Sequence, residues 1–291
     1  MATEVLGSLE LLAGLAMRLQ LGELWALRAV ARSTLRPAKA AILRRDADLY
    51  LCGGAAGSSA LASAERFCAH CGQWEAMAPM SQARFGAVGA ALAGRIYICG
   101  GCDHEPGSAC MRTLRSAERF DPVTNLWEAI PDMIEPRRGA VGAGLSGHLC
   151  VCGGEGGRSG EYVLSSAERF DPALERWEEL PPMSQHRFGA AGAALGGRWY
   201  ACGGSLGMDA LSSAERFCPE RNCWEALPAM LESRSGAAGV AVAGCLCVCG
   251  GGHVEVSLSS VERFRPDLGI WEALPRMPEG HWFAAGVELA G

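Results

Sequence analysis

A cationic side chain recurs ten residues after each of five tryptophans: Arg84 after Trp74, Arg137 after Trp127, Arg187 after Trp177, Arg234 after Trp224, and His281 after Trp271. A guanidinium presents a planar fork of donors that can hold a carboxylate or phosphate through two parallel hydrogen bonds. Two uses are open to such a set. Repetition favours pairing with carboxylates and carbonyls inside the fold. Alternatively the set binds an acidic ligand, since cations gathered in one place repel unless an anion lies among them.

The remaining reactive residue types do not converge in the sequence. His70, His104, His148, His186, His253 and His281 share no common spacing, and Tyr50, Tyr97 and Tyr200 fall at matching apolar positions that read as packing. Catalysis needs ionisable groups that meet in a site of their own, so an enzyme is the lesser alternative. Of fourteen cysteines, Cys52, Cys99, Cys152, Cys202 and Cys249 each stand just before a Gly-Gly pair, as small buried residues would. Cys68-Ala-His-Cys71 and Cys99-Gly-Gly-Cys102 have metal-like spacing. The first lacks a second pair and Cys99 is already explained, so the expectation is reduced thiols, no metal and no cofactor.

The elements that position these residues are set by a repeat of about 50 residues, a period that signals a β-propeller. Each copy has an apolar run ending in Gly-Gly, a Ser-(Ala/Val)-Glu-Arg-Phe segment, a Trp-Glu pair and a Pro-(x)-Met turn. From each of the first four tryptophans to the next Gly-Gly is 26 residues, and from the Ser to its Trp is 11. Length varies only between Gly-Gly and that Ser: 8 residues at 55–62, 14 at 102–115, 11 at 155–165, and 8 at 205–212 and 252–259. Connections that tolerate insertion are exposed and commonly carry function. Small-residue runs such as Gly86-Ala87-Val88-Gly89-Ala90 suit an innermost strand crowding the axis.

Gly-Gly after Arg95-Ile96-Tyr97-Ile98-Cys99, then Glu118-Arg119-Phe120-Asp121-Pro122 and Trp127, closely resembles the kelch repeat, and five copies span roughly 45–290. The expected fold is therefore all-β, a kelch β-propeller over 37–291, with a short α-helical segment over 1–36. Residues 81–277 supply four complete blades and 48–76 three strands of another. The favoured solution is five blades, with 281–289 returning to complete the first; the alternative is a sixth blade begun at His281. Residues 1–36 have a helical apolar period, and Leu19 to Arg32 resembles the core of an F-box, without its Leu-Pro opening or closing aromatic. That resemblance implies docking on a Skp1-like subunit through Leu15, Leu19, Leu24, Leu27 and Val30.

What the resemblance implies for function is a non-enzymatic substrate adaptor of a cullin-type ubiquitin ligase. The alternatives are a kelch scaffold without a ligase link and a kelch-fold enzyme. In kelch receptors an arginine at the repeat position often reaches acidic groups, so Arg84, Arg137, Arg187, Arg234 and His281 are expected to ring the channel mouth and bind an acidic or phosphorylated protein segment. Asp103, His104, Arg112, Arg115, Arg158 and Tyr162 in the longer loops would add specificity. A net charge of −6 argues against a nucleic-acid partner. No apolar run reaches a membrane span, and Glu4 and Glu10 without a basic leader argue against a signal peptide. The expected location is the cytoplasm, with the nucleus open.

Overall fold

The second strand of each of the three middle copies is apolar on both faces because both faces are covered. In Arg95–Cys99, Ile96 and Ile98 pack with Tyr50, Cys52 and Met80 of the preceding copy, whereas Tyr97 and Cys99 pack with Leu149, Val151 and Phe170 of the next. The computed structural model describes residues 27–30, 48–56, 59–68, 71–104, 111–253 and 256–281. Among them are five four-stranded antiparallel sheets, the blades of a propeller. In sheet order they are Leu27–Val30, Asp48–Cys52, Ala64–Cys68, Gln73–Ala76 (blade one); Val88–Leu92, Arg95–Cys99, Ala117–Asp121, Leu126–Ile130 (two); and Val141–Leu145, His148–Cys152, Ala167–Asp171, Arg176–Leu180 (three). Blade four is Ala191–Leu195, Arg198–Cys202, Ala214–Cys218, Cys223–Leu227, and blade five is Ala238–Val242, Cys245–Cys249, Val261–Arg265, Ile270–Leu274. Among the described residues no helix is long and apolar enough to cross a membrane.

Innermost strands neighbour one another around the axis, which explains their glycines. A Cβ on Gly142 would lie 2.1 Å from Val88 Cγ1 of the preceding blade, so no side chain fits there. Among the described residues, four hydrophobic cores lie between successive blades rather than within them. Each uses the tryptophan of the following blade. Trp127, Trp177, Trp224 and Trp271 stack on the phenylalanine directly across the hairpin, with ring centroids 5.0–5.4 Å apart. Their indole N–H groups donate backwards, to the carbonyls of Ala78, Pro131, Pro181 and Pro228, at 2.7–2.9 Å. A tryptophan suits this place because its body is apolar and its one donor finds a carbonyl.

The first blade differs from the expectation. Its innermost strand is Leu27–Val30, antiparallel to Asp48–Cys52 with Leu27 opposite Leu51 and Val30 opposite Asp48. That is the place assigned above to 281–289, of which 282–289 lies outside the described residues. Leu27 and Val30 are therefore strand residues and not part of a helical docking surface. A short apolar run fits either periodicity, and here it covers a sheet edge that would otherwise be open. Leu15, Leu19 and Leu24, like the rest of 1–26, lie outside the described residues. The face of blade one turned away from blade two is also more open: Trp74 is 37% exposed, and Glu65 is exposed.

Candidate interaction surface

The four repeat-position arginines are not at the channel mouth. Arg84, Arg137, Arg187 and Arg234 are 0–2% exposed. Each joins two blades. The backbone of Arg187 bonds blade three, its N–H donating to Leu164 O and its carbonyl accepting from Gly154 N–H at 2.8 Å. Its side chain enters blade four, where Nη1 donates to the carbonyls of Gly203 (2.8 Å) and Ser213 (2.9 Å) and Nη2 to Glu215 Oε1 (2.9 Å). Arg84, Arg137 and Arg234 repeat this with Glu118, Glu168 and Glu262. The other oxygen of each glutamate accepts a backbone N–H, from Ser81, Ile134, Ser184 or Leu231, at 2.6–2.8 Å. The carboxylate that answers each guanidinium is thus built into the repeat, in its Ser-(Ala/Val)-Glu-Arg-Phe segment. These arginines pin blades together, and the acidic-ligand role assigned to them is withdrawn. His281 keeps the backbone half of the arrangement, its carbonyl accepting from Gly251 N–H at 2.7 Å.

The variable connections form the exposed part of the same face. Each folds into a short hairpin: Ala55–Ala56 with Ser59–Ala60, Cys102–His104 with Met111–Thr113, Glu155–Gly156 with Tyr162–Val163, Ser205–Leu206 with Asp209–Ala210, and Gly252–His253 with Val256–Ser257. The Gly-Gly pair starts each one. Gly153, at φ 65°, would place a Cβ 2.6 Å from Arg187 O, so a close approach and a left-handed backbone both demand glycine. Neighbouring hairpins touch, Thr113 N–H donating to Arg158 O at 2.8 Å.

Asp103 stands opposite Arg112 across the second hairpin, and His104 opposite Met111; all but Met111 were expected here. The Asp103 carboxylate accepts the His104 backbone N–H at 2.7 Å, which fixes the strand end. Arg158 is exposed on the third hairpin and Tyr162 is 52% exposed beside it. Arg115 is exposed but held to the connection that leaves its own blade, its Nε donating to Met133 O at 3.0 Å. Cys99 and Cys102 are both fully buried, and burial pushes the Cys102 thiol up to about 11. Their metal-like spacing is a by-product of the Gly-Gly turn.

An apolar feature of this face was not anticipated. Leu206 (52% exposed) and Met208 (84%) stand on the fourth hairpin and Val256 (59%) on the fifth, hairpins whose strands Asp209–Ala210 and Gly252–His253 lie against each other, and Tyr162 is exposed on the third. Leu231, in the connection into blade five, is 59% exposed. The signal was present in the sequence, as Leu206 and Met208 within the eight-residue loop 205–212. The opposite ends of the blades also expose apolar residues at the turns between third and fourth strands: Val123 and Leu126 in blade two, Leu174 in blade three, and Leu268 and Ile270 in blade five. Single exposed apolar residues are ordinary, but a run of them on adjoining elements marks a contact surface.

Comparison with known proteins agrees with this architecture. The kelch motif model matches residues 83–134, 136–184, 186–231 and 233–278, together well over half of the chain. The chain is 36% identical over 152 residues to human Kelch-like protein 33, covering 51% of this chain and 26% of that protein. It is 35% identical over 109 residues to mouse Kelch-like protein 35, covering 38% and 17%. Over 88 residues it is 33% identical to the F-box/kelch-repeat protein At1g22040 of Arabidopsis thaliana, covering 30% and 18%. The chain thus spans about a quarter or less of the length of these relatives. The solved structure of YjhT superposes with a TM-score of 0.75 at 13% identity, over 91% of this chain and 88% of that one, a likeness of fold. With four consecutive motif matches lying on four consecutive blades, the chain belongs to the kelch-repeat family.

Proposed function

We propose that the chain is a non-enzymatic protein-recognition module whose hairpin face receives a protein partner. The observation that carries this reading is the run of exposed apolar side chains at Tyr162, Leu206, Met208 and Val256 on adjoining hairpins. Aromatic residues and Met are enriched at protein interfaces, with charged groups at their rim. Asp103, Arg112 and Arg158 supply such a rim on the second and third hairpins. The partner that fits is accordingly an amphipathic protein segment, bound by apolar burial with polar contacts at one side. The arginines and glutamates that might have served catalysis at the repeat positions are held in blade-to-blade pairing, which supports binding over chemistry.

The finer reading is a substrate receptor in a ubiquitin ligase assembly. Its support is the resemblance to Kelch-like and F-box/kelch proteins, with the Skp1-like docking reading restricted to Leu15, Leu19 and Leu24. The test compares proteins captured by the full chain with those captured by Leu206→Asp/Met208→Asp and by Leu174→Asp/Leu268→Asp, using quantitative mass spectrometry. Partners lost only in the first variant, at an unchanged melting temperature, support the hairpin face. Loss only in the second would place recognition on the opposite turns. Recovery of Skp1-type and cullin subunits, and their loss on deleting 1–26, tests the ligase link separately.

A further inference from the structure

The turn joining third and fourth strands shares one backbone feature in all five blades. Its fifth residue is left-handed in every copy: Gly72 (φ 69°), Asn125 (57°), Glu175 (50°), Asn222 (48°) and Gly269 (67°). Its closing bond recurs as Gly72 N–H to Cys68 O (2.8 Å), Asn125 N–H to Asp121 O (2.9 Å) and Gly269 N–H to Arg265 O (2.8 Å). The opening residue is otherwise Asp121, Asp171, Cys218 or Arg265, and the fourth is Thr124, Leu174, Arg221 or Leu268. The turn thus accepts almost any side chain at these two positions. Where the opener is aspartate it even adds a bond, Asp121 Oδ1 accepting Val123 N–H at 2.8 Å and Asp171 Oδ1 accepting Ala173 N–H at 2.8 Å. A thiol is a poor acceptor, so the cysteines of blade one, with Cys68 at the opening position, do without the local bond that the aspartate openers of blades two and three make.

What they gain is convergence. The Sγ atoms of Cys68 and Cys71 and a carboxylate oxygen of Glu75 all lie within 4.8 Å of one another. Ligands bound tetrahedrally to zinc at about 2.0–2.3 Å stand roughly 3.3–3.8 Å apart, within a small side-chain rotation of this arrangement. Neither cysteine is in a disulfide, and Cys71 and Glu75 are exposed, so an ion could enter from solvent. The Glu75 carboxylate is also the cross-strand partner of Arg66, which fixes its position as an outer-shell bond would. Two thiolates with one carboxylate select a borderline-soft divalent cation over calcium or magnesium, which prefer oxygen alone.

We propose that Cys68, Cys71 and Glu75 form a binding site for a zinc-class cation, on the opposite face of blade one from its hairpin. Three protein ligands leave the fourth position to water or to a side chain brought by a partner. The experiment uses the full chain, kept reduced with a phosphine, and titrates zinc chloride against a chromophoric chelator, with cobalt(II) as a spectroscopic replacement. The expected result is one zinc per chain and a thiolate-to-cobalt charge-transfer band. Cys68→Ser and Cys71→Ser should each weaken binding more than tenfold and abolish the band. Glu75→Gln should weaken binding while keeping the band, and Cys223→Ser should leave both unchanged. Melting curves confirm that each variant is folded. Zinc binding by Cys68→Ser/Cys71→Ser as tight as by the parent chain, or a cobalt spectrum that this variant does not alter, would overturn the proposal.

Discussion

Replacing Arg187 by alanine tests whether the buried arginines hold the propeller together. The guanidinium is 1% exposed, and its loss removes the pair with Glu215 at 2.9 Å and the bonds to the carbonyls of Gly203 and Ser213. Glu215 keeps the Ser184 N–H at 2.8 Å but becomes a buried carboxylate without a counter-charge. Breaking such a pair from one side costs about 3–5 kcal/mol, a large share of the roughly 5–15 kcal/mol that holds a domain folded. Replacing Arg187 and Glu215 together by methionine removes the uncompensated charge. What remains is mainly the Gly203 carbonyl without the Arg187 donor and the Ser184 N–H without its acceptor, since Ser213 O still accepts the Gly203 N–H at 2.9 Å, so the double variant should lose only about 1–3 kcal/mol. Equilibrium urea unfolding, followed by tryptophan fluorescence, measures both variants. Stability of Arg187→Ala within about 0.5 kcal/mol of the parent, the range of surface substitutions, would refute the reasoning, as would a double variant weaker than the single one.

Three further outcomes follow from the same structure. Gly153→Ala should destabilise far more than Gly147→Ala: both have positive φ, but a Cβ at 153 meets Arg187 O at 2.6 Å while one at 147 meets nothing within 4 Å. The second should cost about 1–2 kcal/mol of backbone strain alone, measurable in the same titration. Alkylation at pH 8 should label exposed Cys71 well ahead of Cys52: hydrogen bonding to Cys68 raises the Cys71 thiol, but burial pushes Cys52 up to about 12, leaving a thiolate fraction of about one in ten thousand; peptide mapping reads the difference. Raised thiols also set a basic limit. Stability from Cys52, Cys150 and Cys202, each raised from 9.0 to about 12 by burial, is complete below pH 9 and lost as pH climbs from there towards 12, as a melting series would show.

The blades were legible because their sequence signals are local. Gly-Gly needs positive φ, the tryptophan stacks on the phenylalanine directly opposite, and the small-residue runs line the axis; each constraint acts within one copy or across one neighbour. Arg187 was located correctly at the entrance to an innermost strand but given the wrong surroundings. Depth is set by the packing of two blades, and 28 residues separate Arg187 from Glu215. The clue lay in repetition itself, since from the second copy on the glutamate of each Ser-(Ala/Val)-Glu-Arg-Phe segment matches an arginine in the preceding connection. Leu27–Val30 was misread because four apolar or aliphatic-stemmed residues satisfy a helix period and a strand alike. The apolar hairpin tips were not legible because an isolated Leu or Met in a short loop carries no periodicity to show whether it packs inwards, as Leu211 does more fully, or stands in solvent as Leu206 and Met208 do.

The central claim is that protein partners meet the hairpin face through its apolar tips. Site-specific photo-crosslinking tests it most directly, with a photoreactive amino acid placed either at position 208 on the fourth hairpin or at position 268 on the opposite turn. The account predicts a partner adduct from 208 and none from 268, with equal melting temperatures for the two proteins. An adduct from 268 alone would contradict it.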